Sequence, residues 1–404
     1  MASPKPFVID VPQAKIDRLK QMLALTEFPD ELEDAGWDLG CPLSEMRRLV
    51  KAWQSWDWRR IEAKLNQLPH FTADVEVDGY GTLNIHHIHQ KSEVKGAIPL
   101  LFLHGWPGSF VEVEKLLPLL AQHGGDKPAF HVVAPSLPNF GFSQGVKKRG
   151  FAMAQYAETC HKLMLQLGYP EYVTQGGDWG SQVSRVLGML YPDSCKANHL
   201  NMVLARAPTL SQSPLLALQH SLRPYSEAEH KGMRRSQSFG KEGIGYNILQ
   251  CTKPQTVGYA LHDSPVALLA WIYEKLHDWT DSYPWSDDEI LTWISIYAFS
   301  RAGPAAAERI YYEMNHATSY TYEHIMNYLP KVKLGLTYNA QELTLPPRIW
   351  GKTLGPVVFE AENDRGGHFY ATEYPDRLVR DLQTMFGKTG GAYAVVSEKD
   401  GYGV

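Results

Sequence analysis

Three short windows hold residues whose types and spacing could do covalent chemistry. In Tyr172-Val-Thr-Gln-Gly-Gly-Asp-Trp-Gly-Ser, a short strand runs into a glycine-rich turn and then a helix, with Asp178 two residues from both Gly176 and Gly180. This is the form of a nucleophile elbow, where a strained turn lifts one side chain clear of the sheet and small flanking residues avoid collisions between strand and helix. A carboxylate in that slot would attack carbon and form an ester, whose own carbonyl an activated water could then hydrolyse. The bland alternative is an aspartate that only caps a helix. Ser181 and Ser184 are the other nucleophiles at hand, but they fall inside the helix rather than between the small residues.

The second window, His104-Gly-Trp-Pro-Gly-Ser, follows the apolar strand that ends at Leu103. An amide of this loop, at Trp106, together with that of Trp179 would make an oxyanion hole facing the elbow. The third is Glu362-Asn-Asp-Arg-Gly-Gly-His-Phe, after the last strand. His368 there fits the chain order nucleophile, acid, histidine that this topology imposes, and Gly366 and Gly367 let its loop approach the sheet end. Glu342, after the preceding strand, is the expected acid partner, with Glu362 and Asp364 as local competitors and Asp364 read as closing its own turn. His86, His87 and His89 are read as structural histidines, since no carboxylate or cysteine completes a ligand set beside them. The four cysteines, Cys41, Cys160, Cys195 and Cys251, are scattered and read as buried small hydrophobes in a reducing compartment.

The elements that must position these residues are legible in outline. The chain has 404 residues, 44% of them hydrophobic and 21% charged, with a formal net charge of -5; this excludes disorder as the main state, and no long basic run marks a nucleic-acid or membrane-surface footprint. There is no stretch of roughly 18 uncharged apolar residues and no signal-peptide pattern, so a soluble, cytoplasmic protein without a membrane anchor is expected. Residues 10–24 and 43–65 have helical spacing, the first behind Asp10 and Pro12, and residues 72–89 form a hairpin with Gly79 and Gly81 at its turn. From Ile98 onward, short apolar strands at 98–103, 130–134, 172–175, 197–204, 334–339 and 356–361 alternate with helices, the grammar of a parallel sheet. Residues 206–330 carry aromatic helices, including 268–276 and 290–300, and no strand pattern, the layout of a lid over the carboxyl end of the sheet. The expected units are residues 1–90, an N-terminal helical segment and hairpin; 91–205, the first part of the core; 206–330, the lid; and 331–404, the second part of the core.

With these motifs in place, the chain resembles a microsomal-type epoxide hydrolase in its soluble, fungal-like form over almost its whole length. The resemblance rests on the His104, Asp178 and His368 windows and on the lid segment Cys251-Thr-Lys-Pro-Gln-Thr-Val-Gly-Tyr-Ala-Leu-His-Asp-Ser-Pro-Val. It implies an α/β-hydrolase core, a helical lid and an N-terminal segment that wraps over both. It further implies Asp178 as nucleophile, His368 as base, Glu342 as its acid partner, and Tyr246 and Tyr311 as lid donors to the epoxide oxygen, with Tyr312 adjacent to the second. No cofactor or metal is implied; the partners would be a small-molecule epoxide and water, with room for a homodimer. A haloalkane dehalogenase, holding halide with the Trp106 and Trp179 indoles, and a non-catalytic binding protein on the same fold are the rival readings.

Overall fold

The computed structural model describes residues 3–121 and 126–403. Among these residues nine strands make one sheet: β1 (Lys5–Pro6), β2 (His70–Val77), β3 (Gly81–Gln90), β4 (Ile98–Leu103), β5 (Phe130–Pro135), β6 (Tyr172–Gly176), β7 (Cys195–Leu200), β8 (Lys333–Gln341) and β9 (Val357–Gly367). Their order across the sheet is β1-β2-β3-β5-β4-β6-β7-β8-β9. The first three pair antiparallel, β3 joins β5 antiparallel, and every pairing from β5 through β9 is parallel.

Alternation along β4 shows how the sheet acquires two covered faces. Leu101 and Leu103 enter a core shared with Val183 and Leu187 of the helix Asp178–Leu190 and with lid residues such as Ile294. Ile98, Leu100 and Phe102 enter the opposite core, with Leu378, Leu382 and Phe386 of the helix Pro375–Phe386. All six residues of β4 are buried, as expected for a central parallel strand.

Several boundaries differ from expectation. The fourth parallel strand stops at Leu200 rather than reaching residue 204, because β6 turns into its helix after Gly176 and offers no further ladder; Asn201 N–H makes a last hydrogen bond to Gly176 O at 3.3 Å. Residues 43–65 form two helices, Leu43–Ser55 and Trp58–Leu65, because Asp57 caps the second by accepting from Arg60 N–H. The first helix is Gln13–Ala24, with Pro12 at its N-cap and Asp10 outside it.

Between β7 and β8 the described elements are all helical, running from Pro214–Leu222 to Tyr322–Ile325. The N-terminal segment grips this region: Arg48 pairs with Asp287 at 2.5 Å, Arg60 with Asp288 at 2.8 Å, and Trp37 stacks on His277 at 3.5 Å. Inside β3, His86 hydrogen-bonds His70 (2.8 Å) and Ser136 (2.9 Å), while His89 reaches Tyr169 (2.9 Å), so these rings knit the hairpin to the core. Among the described residues, no helix is long and apolar enough to cross a membrane.

Candidate active site

The elbow is built by steric exclusion. Asp178 has φ +44°, a left-handed conformation that L-residues adopt at a cost of roughly 1–3 kcal/mol. A Cβ on Gly180 would lie 2.0 Å from Leu103 O, and one on Gly176 would lie 2.4 Å from the Gly180 carbonyl carbon, so only glycine lets helix and strands come this close. A Cβ on Gly105 would strike the Asp178 carboxylate at 2.2 Å. The nucleophile therefore sits against bare backbone.

The chain ends of β4, β6, β8 and β9 bring the expected groups to it. Trp106 N–H donates to Asp178 Oδ1 at 2.8 Å. Trp179 lies in the first turn of the helix Asp178–Leu190, where amides have no intrahelical acceptor. His368, directly after β9, places Nε2 3.5 Å from Asp178 Oδ2 and Nδ1 2.7 Å from Glu342 Oε1. Burial alone would lower the imidazole pKa, but the Glu342 and Asp178 carboxylates outweigh it and hold the ring protonated well above its ordinary range.

Among the acids, Glu342 is buried and accepts from His368 and from Leu343 N–H. Glu362 turns instead to Arg348 at 3.4 Å. The expectation that Asp364 closes its own turn is corrected: it lies exposed within β9 and pairs with Arg377 at 3.0 Å, because β9 continues through Gly367. The close approach made by Gly367 is to the lid, not the sheet end, since a Cβ there would sit 2.4 Å from Trp279 O.

Two lid tyrosines cover the nucleophile. Tyr246, on the helix Gly245–Thr252, stacks on Trp106 (centroids 5.2 Å, 14°), and Tyr311, on the helix Arg309–Asn315, meets Trp179 edge-on (4.7 Å, 87°). The two phenol rings are 5.9 Å apart, and the Tyr311 hydroxyl is not tied up in a well-formed hydrogen bond. Burial above all raises both phenols well above their ordinary pKa, aided by Asp178 at Tyr246 and by Tyr246 and then Asp178 at Tyr311, so both are neutral donors. Tyr312 points the other way, its hydroxyl accepting from Arg149 at 3.0 Å.

Trp279 was not foreseen. Its carbonyl accepts the His368 backbone N–H at 2.7 Å, and its ring meets the imidazole edge-on at 5.1 Å. A tryptophan at the end of a lid helix, that of Pro265–Asp278, gives no sequence signal of such a role.

A carboxylate elbow, an amide aimed at it and a buried histidine–glutamate pair, set at the carboxyl ends of a mostly parallel sheet, define an α/β-hydrolase. Residues 98–222 match the alpha/beta hydrolase fold family model, and residues 4–113 match that described as epoxide hydrolase N terminus. The chain is 32% identical to Epoxide hydrolase 1 of Sus scrofa, over 95% of this chain and 88% of that one. The structure of Aspergillus niger epoxide hydrolase superposes with a TM-score of 0.81 at 36% identity, covering 94% of this chain and 95% of the other. Juvenile hormone epoxide hydrolase from the silkworm Bombyx mori gives a TM-score of 0.85 at 30% identity, over 95% and 93%. The chain belongs to the epoxide hydrolases.

Proposed function

We propose that the chain opens small-molecule epoxides in two covalent steps and releases vicinal diols. The observation that carries this reading is a strained carboxylate, Asp178, facing two buried phenols with a histidine–glutamate pair behind it. In the first step Asp178 attacks an epoxide carbon, the C–O bond breaks, and Tyr246 and Tyr311 hydrogen-bond the developing alkoxide, one of them giving it a proton. Alkylation removes the Asp178 charge, and with it part of what keeps His368 protonated; the imidazolium then returns a proton to the tyrosinate and becomes a base.

In the second step His368, oriented by Glu342, takes a proton from water as its oxygen adds to the Asp178 ester carbonyl, with the oxyanion met by the amides of Trp106 and Trp179. Collapse breaks the carbonyl carbon–alkoxide bond, and His368 protonates the departing diol. Asp178 then hands its carboxyl proton to His368, which regenerates the starting ion pair. The residues relay the protons and end the cycle as they began it, and the water supplies the two that the diol gains.

A single turnover with excess enzyme in ¹⁸O water tests the covalent route. The first diol should be unlabelled, with the label entering the Asp178 carboxylate; fully labelled diol in that turnover would mean direct attack by water.

A further inference from the structure

Against the nucleophile lies a cavity of about 20 Å³ lined by Asp178, His368, Gln175, Asn201, Glu112 and Gly105, among others, with neither lid tyrosine in its wall. That is room for one water molecule. Gln175, the penultimate residue of β6, is 1% exposed; its Nε2 donates to Asn201 Oδ1 at 2.6 Å, which fixes the amide and leaves its Oε1 without a partner. A buried amide oxygen left unpaired is destabilising unless something donates to it. Glu112 adds a second polar wall, its Oε1 accepting from Ser109 N–H at 3.1 Å. Burial raises this carboxyl to about 8, so at neutral pH it keeps its proton and does not compete with His368 as a base.

We propose that this cavity is the seat of the hydrolytic water and that Gln175 is the positioning residue that aims it. The inference rests on the two-step reading above. One water hydrogen goes to Gln175 Oε1 and the other to His368 Nε2, which leaves a lone pair for the Asp178 carbonyl carbon. As the C–O bond forms, the proton on the His368 side transfers to Nε2 and the one on Gln175 stays with the oxygen. Asn201 acts one step further out by holding the amide in that orientation.

The test separates the two chemical steps by stopped-flow tryptophan fluorescence and intact mass, with styrene oxide as the probe. In Gln175→Leu and the shape-matched Gln175→Met, alkylation should stay within about threefold of wild type, while ester hydrolysis slows by ten- to a hundredfold and the adduct accumulates. General loosening of the fold would slow both steps together, and that outcome would overturn the proposal. His368→Gln is the reference: if it accumulates ester while the Gln175 variants hydrolyse at the wild-type rate, the water site is wrong and the two-step reading stands. If no enzyme forms ester with a substrate it turns over, the two-step reading itself has failed. Should the variants not fold, a high-resolution crystal structure of the wild-type enzyme decides, with one ordered water within 3.2 Å of Gln175 Oε1 expected and a dry cavity overturning the proposal.

Discussion

At the scale of single residues, the lid phenols offer the sharpest contrast between a donor and a packing ring. Tyr246→Phe and Tyr311→Phe each keep the ring against its tryptophan, stacked in the first and edge-on in the second, and remove only the hydroxyl. Each should slow ester formation by about ten- to a thousandfold, the usual consequence of losing one oxyanion donor, and the double change should nearly abolish it. Tyr312→Phe should form ester at the wild-type rate, because its hydroxyl is engaged outward with Arg149; single-turnover fluorescence distinguishes the three. Asp178, His368 and Glu342 were legible because glycine spacing and chain order mark them. The tyrosines were legible only through family resemblance, since nothing in their own spacing separates them from the other phenols of the chain. Trp279 and Gln175 were not legible at all: one acts through a carbonyl and a ring edge, the other through an amide inside a strand, and both contacts exist only once distant segments meet.

Among the elements, the strand–turn–helix at β6 is where packing and chemistry are least separable. In Gly180→Ala the new methyl would lie 2.0 Å from the Leu103 carbonyl, so the helix Asp178–Leu190 must back away from β4. The expected cost is about 1–3 kcal/mol, typical of overpacking, and ester formation should fall with it because Asp178 leaves the Trp106 amide. Gly240→Ala has open space around it and no left-handed backbone, so it should leave both quantities nearly unchanged; urea melts and single-turnover rates on the pair check this. The same local logic explains which boundaries could be read from the sequence. Of the elbow's glycines, Gly176 is demanded by a contact four residues away, at Gly180, while Gly180 answers to Leu103 on β4 and was readable only through the strand–turn–helix pattern. The end of β7 depends on where β6 stops supplying partners, and the break between the helices Leu43–Ser55 and Trp58–Leu65 on a cap at Asp57.

For the whole molecule, buried titratable groups predict how stability varies with pH. Burial lowers His87 and His104 to about 4 and His89 and His199 to about 3. As pH falls below about 6.5 the unfolded chain takes up protons that these folded rings refuse, so stability is lost toward pH 4. Burial raises Glu112 and Glu308 to about 8, and His368 is raised by its two carboxylates. Those folded groups keep protons that the unfolded chain releases, a gain fully present at lower pH and lost as pH rises through 8 for the two glutamates and through about 10 for His368. Between pH 4.5 and 6.5 the two sets oppose each other and the more numerous histidines prevail. Urea midpoints at constant ionic strength should therefore peak near pH 6.5 and fall at both pH 5 and pH 8.5, with each group contributing at most about 1.4 kcal/mol per unit; a midpoint that climbs steadily from 5 to 8.5 would refute the balance. The sheet order has a further consequence, for how the enzyme comes into being. From β6 through β9 the strands add edgewise in the order the ribosome delivers them, with the whole lid synthesised between β7 and β8. A nascent chain thus presents its elbow aspartate first, beside an open sheet edge, and gains its acid and base only when β8 and β9 dock, so that the growing polypeptide is disarmed until both strands have joined the sheet.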